Sequence, residues 1–315
     1  EILRNLSTCA GLGVTREDIN KLRSFSSEEL KVIAEKCKKA YMYAVDFITT
    51  DLQVTSHGYL PYSLQLTFLV ELFNLCPVPT IVQRNEIKKW FWRTSITRYF
   101  ASFNTAQLNA ELRTIRNFAT GKISAISINK GINYKEFMES SFVLRNALSK
   151  TLALILASNN PKSLLDGASI NIHSVLAIVN KNEFHHIFPK DYLTKRNYDN
   201  IQINQHANIC MLNLGNNRTI SNKAPSEYFL TVKSRLGSSL HEILLSNFID
   251  DIAYRCALED DFEGFIAARK RLILIRAMEL CENYEEVPIV ADEFPVDFKK
   301  NKKEALEYEQ MNLEF

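Results

Sequence analysis

With 315 residues, 46% of them apolar and 23% charged, the chain is long enough for about two self-sufficient cores and too apolar for disorder or a fibrous architecture. Thirty-eight basic residues against 36 acidic leave a formal charge of +2, so the overall charge names no partner. Only nine glycines argue against an all-β fold of tight turns, and six scattered cysteines without C-x-x-C spacing point to neither a disulfide framework nor a zinc knuckle, so a cytoplasmic, reducing setting fits best.

The first half predicts helix after helix. "SSEELKVIAEKCKKAYMYAVDFITTDL" begins with a serine cap and acids in the first turn, and repeats Leu30, Ile33, Ala34, Cys37, Tyr41, Ala44, Val45 and Ile48 at helical spacing. "LPYSLQLTFLVELFNLCPVP" sets Pro61 and Pro77 at either end of a segment apolar nearly all round, which predicts a buried helix. "RNEIKKWFWRTSITRYFASF" and "TAQLNAELRTIRNFAT" predict two more, with Trp90, Phe91, Trp92, Tyr99, Phe100 and Phe103 closing a helix interface rather than stacking nucleobases. "NYKEFMESSFVLRNALSKTLALILASNNPKSLLDG" predicts one further long helix.

The texture then changes. "ASINIHSVLAIVNKNEFHHIFP" is rich in β-branched residues and predicts one or two short strands ending near Pro189. "DYLTKRNYDNIQINQHAN" is polar and predicts a loop, "ICMLNL" a return strand and "GNN" its turn. "RTISNKAPSEYFLTVKSRL" predicts an irregular start and a helix with Pro225 in its first turn, and the run from Ser239 to Cys281 predicts two helices. No run of 18 uninterrupted apolar residues occurs, so no membrane partner is expected. Residues 181–235 carry a local excess of four positive charges and residues 282–315 a local excess of six negative ones, the latter expected as an acidic tail.

The adjacent histidines of "EFHHIFP" demand an explanation, because the chain holds six histidines in all. Packing is the usual account of such a pair. The residues around it favour chemistry instead. "HHIFP", "AN" at 207–208 and "NNR" at 216–218 resemble the HNH, or His-Me finger, nucleases with their ββα-metal site. The wider stretch "EFHHIFPKDYL … INQHANICML … NNRTISNKAPSEY" is similar to the C-terminal nuclease domain of GmrSD-type modification-dependent restriction endonucleases. The helical run before it, including "LPY" and "WFWRTSITRYF", resembles the helical region of the same proteins.

The resemblance implies a mainly α fold: a helical scaffold over about 1–128, a mostly helical nuclease domain over 129–281 with the finger at about 182–230, and the tail at 282–315. It implies His186 as general base, His185 as a metal ligand, Asn217 as the second ligand and Asn208 as the amide that orients the base. Arg218 is expected to stabilise transition-state charge or grip a phosphate, with Lys190 and Lys223 as further nucleic-acid contacts. Glu183 is expected to brace a histidine ring or lie at the surface, Asn204 to cap or brace the loop, and His206 to be a solvated loop histidine. Phosphodiester hydrolysis asks for these types: a base that titrates near neutrality, an amide that fixes its tautomer and a cation over the phosphate. One imidazole and one amide suit Mg²⁺ or Mn²⁺, with Ni²⁺ or Zn²⁺ as alternatives.

The activity implied is metal-dependent cleavage of DNA, modified or phage-derived, in a bacterial restriction or anti-phage system. Three alternatives stay open: a catalytically inactive finger that binds nucleic acid or a partner, an RNase using the same site, and a structural zinc site, which the lack of nearby cysteines disfavours. The chain opens without methionine, as expected of a piece whose N-terminal nucleotide-sensing domain is missing. In a regular strand His185 and His186 would face opposite ways, so the strand is expected to twist or end at the pair.

Overall fold

The computed structural model describes residues 1–177, 184–212 and 223–281. Six helices build the first part: α1 Ile2–Cys9, α2 Arg16–Lys21, α3 Ser27–Thr50, α4 Ser63–Leu75, α5 Ile81–Ile96 and α6 Thr105–Ala119. Their starts follow from local chemistry. Thr15, Ser26, Thr80 and Asn104 each accept a hydrogen bond from the backbone three residues on, and the third residue's side chain returns the bond. The buried stripe of α3 is Cys37, Ala40, Ala44, Phe47 and Ile48, whereas Leu30, Tyr41 and Val45, expected on that stripe, are exposed. Nine of the 13 residues of α4 are buried, as its all-round apolar sequence predicts. Trp90, Phe91, Trp92 and Phe100 are core residues, and Phe100 packs against Tyr62, Phe68, Trp90 and Tyr99.

The single long helix expected from Asn133 onward is two: α7 Tyr134–Glu139 and α8 Ala147–Ser158. The break lies where short polar side chains offer the backbone other partners. Asn146 caps α8, Ser149 Oγ accepts from the Val143 N–H at 2.9 Å, and Ser141 bridges to Gln205 instead of continuing the helix. After α9 Ile172–Val175 come β1 Phe184–His186, α10 Lys190–Thr194, α11 Asn200–Ile203 and β2 Ile209–Met211. The stretch expected as loop therefore holds two short helices. Asp199 opens α11 by accepting from the N–H groups of Ile201 and Gln202, both at 2.8 Å. The "GNN" turn and the acidic tail lie outside the described residues.

The C-terminal part is α12 Pro225–Leu236, α13 Leu240–Ser246, α14 Asp251–Leu258 and α15 Phe262–Leu280. Pro225 takes the first helical position, as predicted. Three helices follow it where two were expected, because the chain turns at Phe248 and Asp260, both left-handed at φ 59° and 56°. Asp250 and Asp261 then cap the next helices.

The molecule is mainly α-helical, with one two-stranded antiparallel sheet among the described residues. The boundary expected near residue 128 is not a break in the core: one buried cluster runs from Cys9 to Cys281. Helix α15 packs on α5 and α8, and the Arg93 guanidinium donates to the Cys281 carbonyl at 3.2 Å. From the other direction, Tyr59 Oη donates to the Val175 carbonyl at 3.3 Å and Lys150 Nζ to the Leu60 carbonyl at 3.2 Å. Among the described residues no helix is long and apolar enough to cross a membrane.

Candidate active site

The histidine hairpin is short. Phe184, His185 and His186 pair with Met211, Cys210 and Ile209, and the Ile187 N–H adds a bond to the Asn208 carbonyl at 2.8 Å. β1 ends at His186, and Pro189 follows as the cap of α10. The strand thus ends at the pair, where the strict alternation of side chains is no longer imposed.

His186 is half-buried, and its Nε2 stands 2.9 Å from Asn204 Oδ1. Burial holds its pKa below the ordinary 6.5; the Lys190 charge pushes the same way, while the bond to Asn204 opposes. The ring is thus neutral at pH 7. Lys190, on the first turn of α10, is exposed.

Asn208 does not touch that ring. Its side chain is wholly buried: Oδ1 accepts from the Phe188 N–H at 2.9 Å, and Nδ2 donates to the carbonyls of Phe188 at 3.1 Å and Ile203 at 2.9 Å. This amide clasps the chain two residues beyond His186, and its role is to shape the end of the hairpin. The amide that meets the His186 ring is that of Asn204 instead. The signal for it in the sequence was slight: an asparagine one helical turn after Asn200, whose carbonyl accepts from Asn204 Nδ2 at 2.7 Å.

His206 is the clearest departure from expectation. It is fully buried rather than solvated, with Nε2 3.1 Å from Ser149 Oγ and its ring edge-on to Phe137 and Phe142. Burial pulls its pKa down to about 4. It is a packing residue that ties the hairpin loop to α8.

Three further contacts seat the hairpin on the helices. Tyr228 Oη, on α12, donates to the Ile187 carbonyl at 2.8 Å. Arg269, on α15 and wholly buried, donates through Nη1 to the Ala207 carbonyl at 2.6 Å and through Nε to the Asn247 carbonyl at 3.1 Å. Phe188 packs against Phe262 and Phe265 at centroid distances of 5.2 and 5.0 Å. Helix α12 is itself pinned by Ser226, whose N–H and Oγ donate to Asp260 at 2.9 and 2.8 Å. Helix α12 thus packs on the strand pair.

Of the other expected site residues, His185 lies half-buried in β1, and Lys223 is exposed in the segment leading into α12. Glu183, Asn217 and Arg218 lie outside the described residues. Among the described residues no group of three or more His, Cys, Asp or Glu side chains stands together to hold a metal. The expected two-ligand set asks for less than that, and His185 is its one member among them.

The chain matches no protein-family model and no solved structure. It is similar to an uncharacterized protein of Methanocaldococcus jannaschii, 23% identical over 249 residues that cover 70% of this chain and 41% of that protein. The chain thus spans less than half the length of that relative.

Proposed function

We propose that the chain is the catalytic part of a divalent-metal-dependent DNA endonuclease of a restriction or anti-phage system, with His186 as general base. The observation that carries this reading is a half-buried histidine at the end of a hairpin strand, kept neutral by burial and held by a side-chain amide. A neutral imidazole fixed in one orientation is what proton removal from water requires near pH 7. His186 takes the proton as the water oxygen bonds to phosphorus; the P–O3′ bond breaks, and the 3′-oxygen leaves to take a proton from solvent. The products have 5′-phosphate and 3′-hydroxyl ends, as in the nucleases the sequence resembles.

His185 and Asn217 are the residues expected to hold a Mg²⁺ or Mn²⁺ ion, with Ni²⁺ or Zn²⁺ as substitutes. Such an ion, when bound, supplies charge neutralisation at the phosphate and leaving oxygens. Lys190, exposed and near enough for its charge to act on the His186 ring, is read as a contact to the phosphate backbone, with Arg218 and Lys223 as its expected companions.

The test is nicking of supercoiled plasmid, with and without base modification, in Mg²⁺, Mn²⁺ or EDTA, with RNA offered in parallel. The expected result is EDTA-sensitive nicking that falls by about 10²–10⁴-fold in His186→Ala. Thermal unfolding and DNA affinity of that variant should stay close to wild type. Undiminished cleavage by His186→Ala overturns the assignment, metal-independent DNA binding without cleavage favours an inactive finger, and cleavage of RNA alone favours an RNase.

A further inference from the structure

We propose that the cleft between α7, α11 and α15 binds a small, neutral, planar heterocycle whose edge carries a hydrogen-bond acceptor beside a donor, as the edge of a free nucleobase or nucleoside does. The proposal goes beyond the reading of His186 and does not depend on it.

The cleft has the size of a small-ligand site, about 480 Å³. Its walls come from three elements. Glu263, Ile266 and Lys270 follow one another at helical spacing along one face of α15. Tyr198 lies just before α11 and Ile201 within it, and Glu139 ends α7 at the rim. The Tyr198 ring is braced by Phe262, in an edge contact at a centroid distance of 4.9 Å. Ile201 stands with 62% of its surface uncovered. An aromatic ring and two isoleucines give a flat ligand apolar surface to cover, and covering it releases water.

The polar groups narrow the ligand further. Lys270 carries its ammonium on a side chain only 16% exposed, and burial pulls its pKa below the ordinary 10.5 while Glu139 opposes. Glu139 Oε1 stands 3.8 Å from Lys270 Nζ, beyond the reach of a hydrogen bond. The carboxylate thus balances the charge without taking the N–H groups. The two present a strong donor and a strong acceptor side by side. A cation entering the cleft meets the Lys270 charge, and a phosphate or carboxylate meets Glu139 and Glu263. A neutral ring avoids both penalties. Its ring carbonyl accepts from Lys270 and the neighbouring ring N–H donates to Glu139, two charge-assisted bonds on adjacent atoms of one edge.

The experiment is titration of the full 315-residue chain, ¹³C-labelled at isoleucine methyls, with inosine and with purine riboside, which has the same ring and sugar but no donor on that edge. Calorimetry on the same samples gives the affinities. Inosine should shift the methyl resonances of Ile201 and Ile266, and purine riboside should bind about tenfold or more weakly. Lys270→Met and Glu139→Leu should each weaken inosine by about the same factor. Equal affinity for the two nucleosides overturns the proposal on the wild-type chain alone, even where a variant fails to fold. So does the absence of any shift at millimolar inosine. Tighter binding of inosine 5′-monophosphate than of inosine would make the cleft an anion site, and preference for L-leucine would make it a site for a zwitterion; either result overturns the assignment to a neutral ring.

Discussion

The scaffold helices and the histidine hairpin secure their buried polar groups in different ways. In the scaffold, Glu111 sits between Trp90 Nε1 at 2.8 Å and Tyr99 Oη at 3.1 Å, Glu71 accepts from Arg116 at 2.6 Å, and Gln65 bonds to Thr94 and Ser95. These are side-chain to side-chain links between neighbouring helices, set in apolar surroundings that push both glutamates above the ordinary carboxylate range. In the hairpin, besides the side-chain pairs His206–Ser149 and His186–Asn204, the links run from a side chain to a distant backbone: Asn208 to Phe188, Tyr228 to Ile187, Arg269 to Ala207. Two strands of three residues each bury too little surface to stand alone, so these bonds determine the hairpin's shape rather than add to a shape already stable. Damage to the scaffold should therefore cost stability, and damage to the hairpin should cost geometry as well.

Trp90→Ala gives the largest expected effect on stability. It empties a fully buried site and strips Glu111 of a donor, at about 4 kcal/mol by denaturant unfolding. The molecules that remain folded should keep the His186 ring resonances of wild type. Altered resonances there would join the two regions more tightly than the contacts indicate.

Asn208→Ala should cost about 3 kcal/mol, because it leaves one N–H and two carbonyls without partners in a dry interior. Unlike Trp90→Ala, it should also shift His186 and reduce nicking per folded molecule. Wild-type nicking per folded molecule would show that the hairpin holds its geometry without the clasp.

The smallest effect is a pH dependence. Burial lowers His206 from the ordinary 6.5 to about 4, so the unfolded chain binds the proton first. Stability is then full above about pH 6.5 and falls as the pH drops toward 4, by about 2 kcal/mol at pH 5. His186, also lowered, acts in the same direction. In His206→Gln the difference between urea midpoints at pH 7 and pH 5 should shrink by the His206 share. An unchanged difference would mean that this ring is not held neutral by burial.

Much of the scaffold is legible in the sequence because its rules are local. Ser26 and Glu29 form their capping box within one turn, Pro61 and Pro77 bracket α4, and the aromatic run at 90–103 buries itself wherever it meets another apolar face. The readings that failed are those where a distant partner overrode local preference. "NYKEFMESSFVLRNALSK" has the spacing of one helix, yet Ser141 and Phe142 leave it to bond Gln205 and Asn204, more than 60 residues on. His206 looks solvated among polar neighbours, yet Ser149, Phe137 and Phe142 enclose it.

The candidate site divides along the same line. The sequence alone determined the chemistry available: two adjacent imidazoles, amides downstream and a local excess of positive charge, with a strand on either side. Only the tertiary structure decided which amide meets which atom. Asn204 and Asn208 are four residues apart and chemically identical, and no spacing rule separates them. What separates them is the surroundings each is folded into. The break before α8 and the turn of α11 present one amide to the ring of His186, while the floor beneath the hairpin consumes every hydrogen-bonding position of the other.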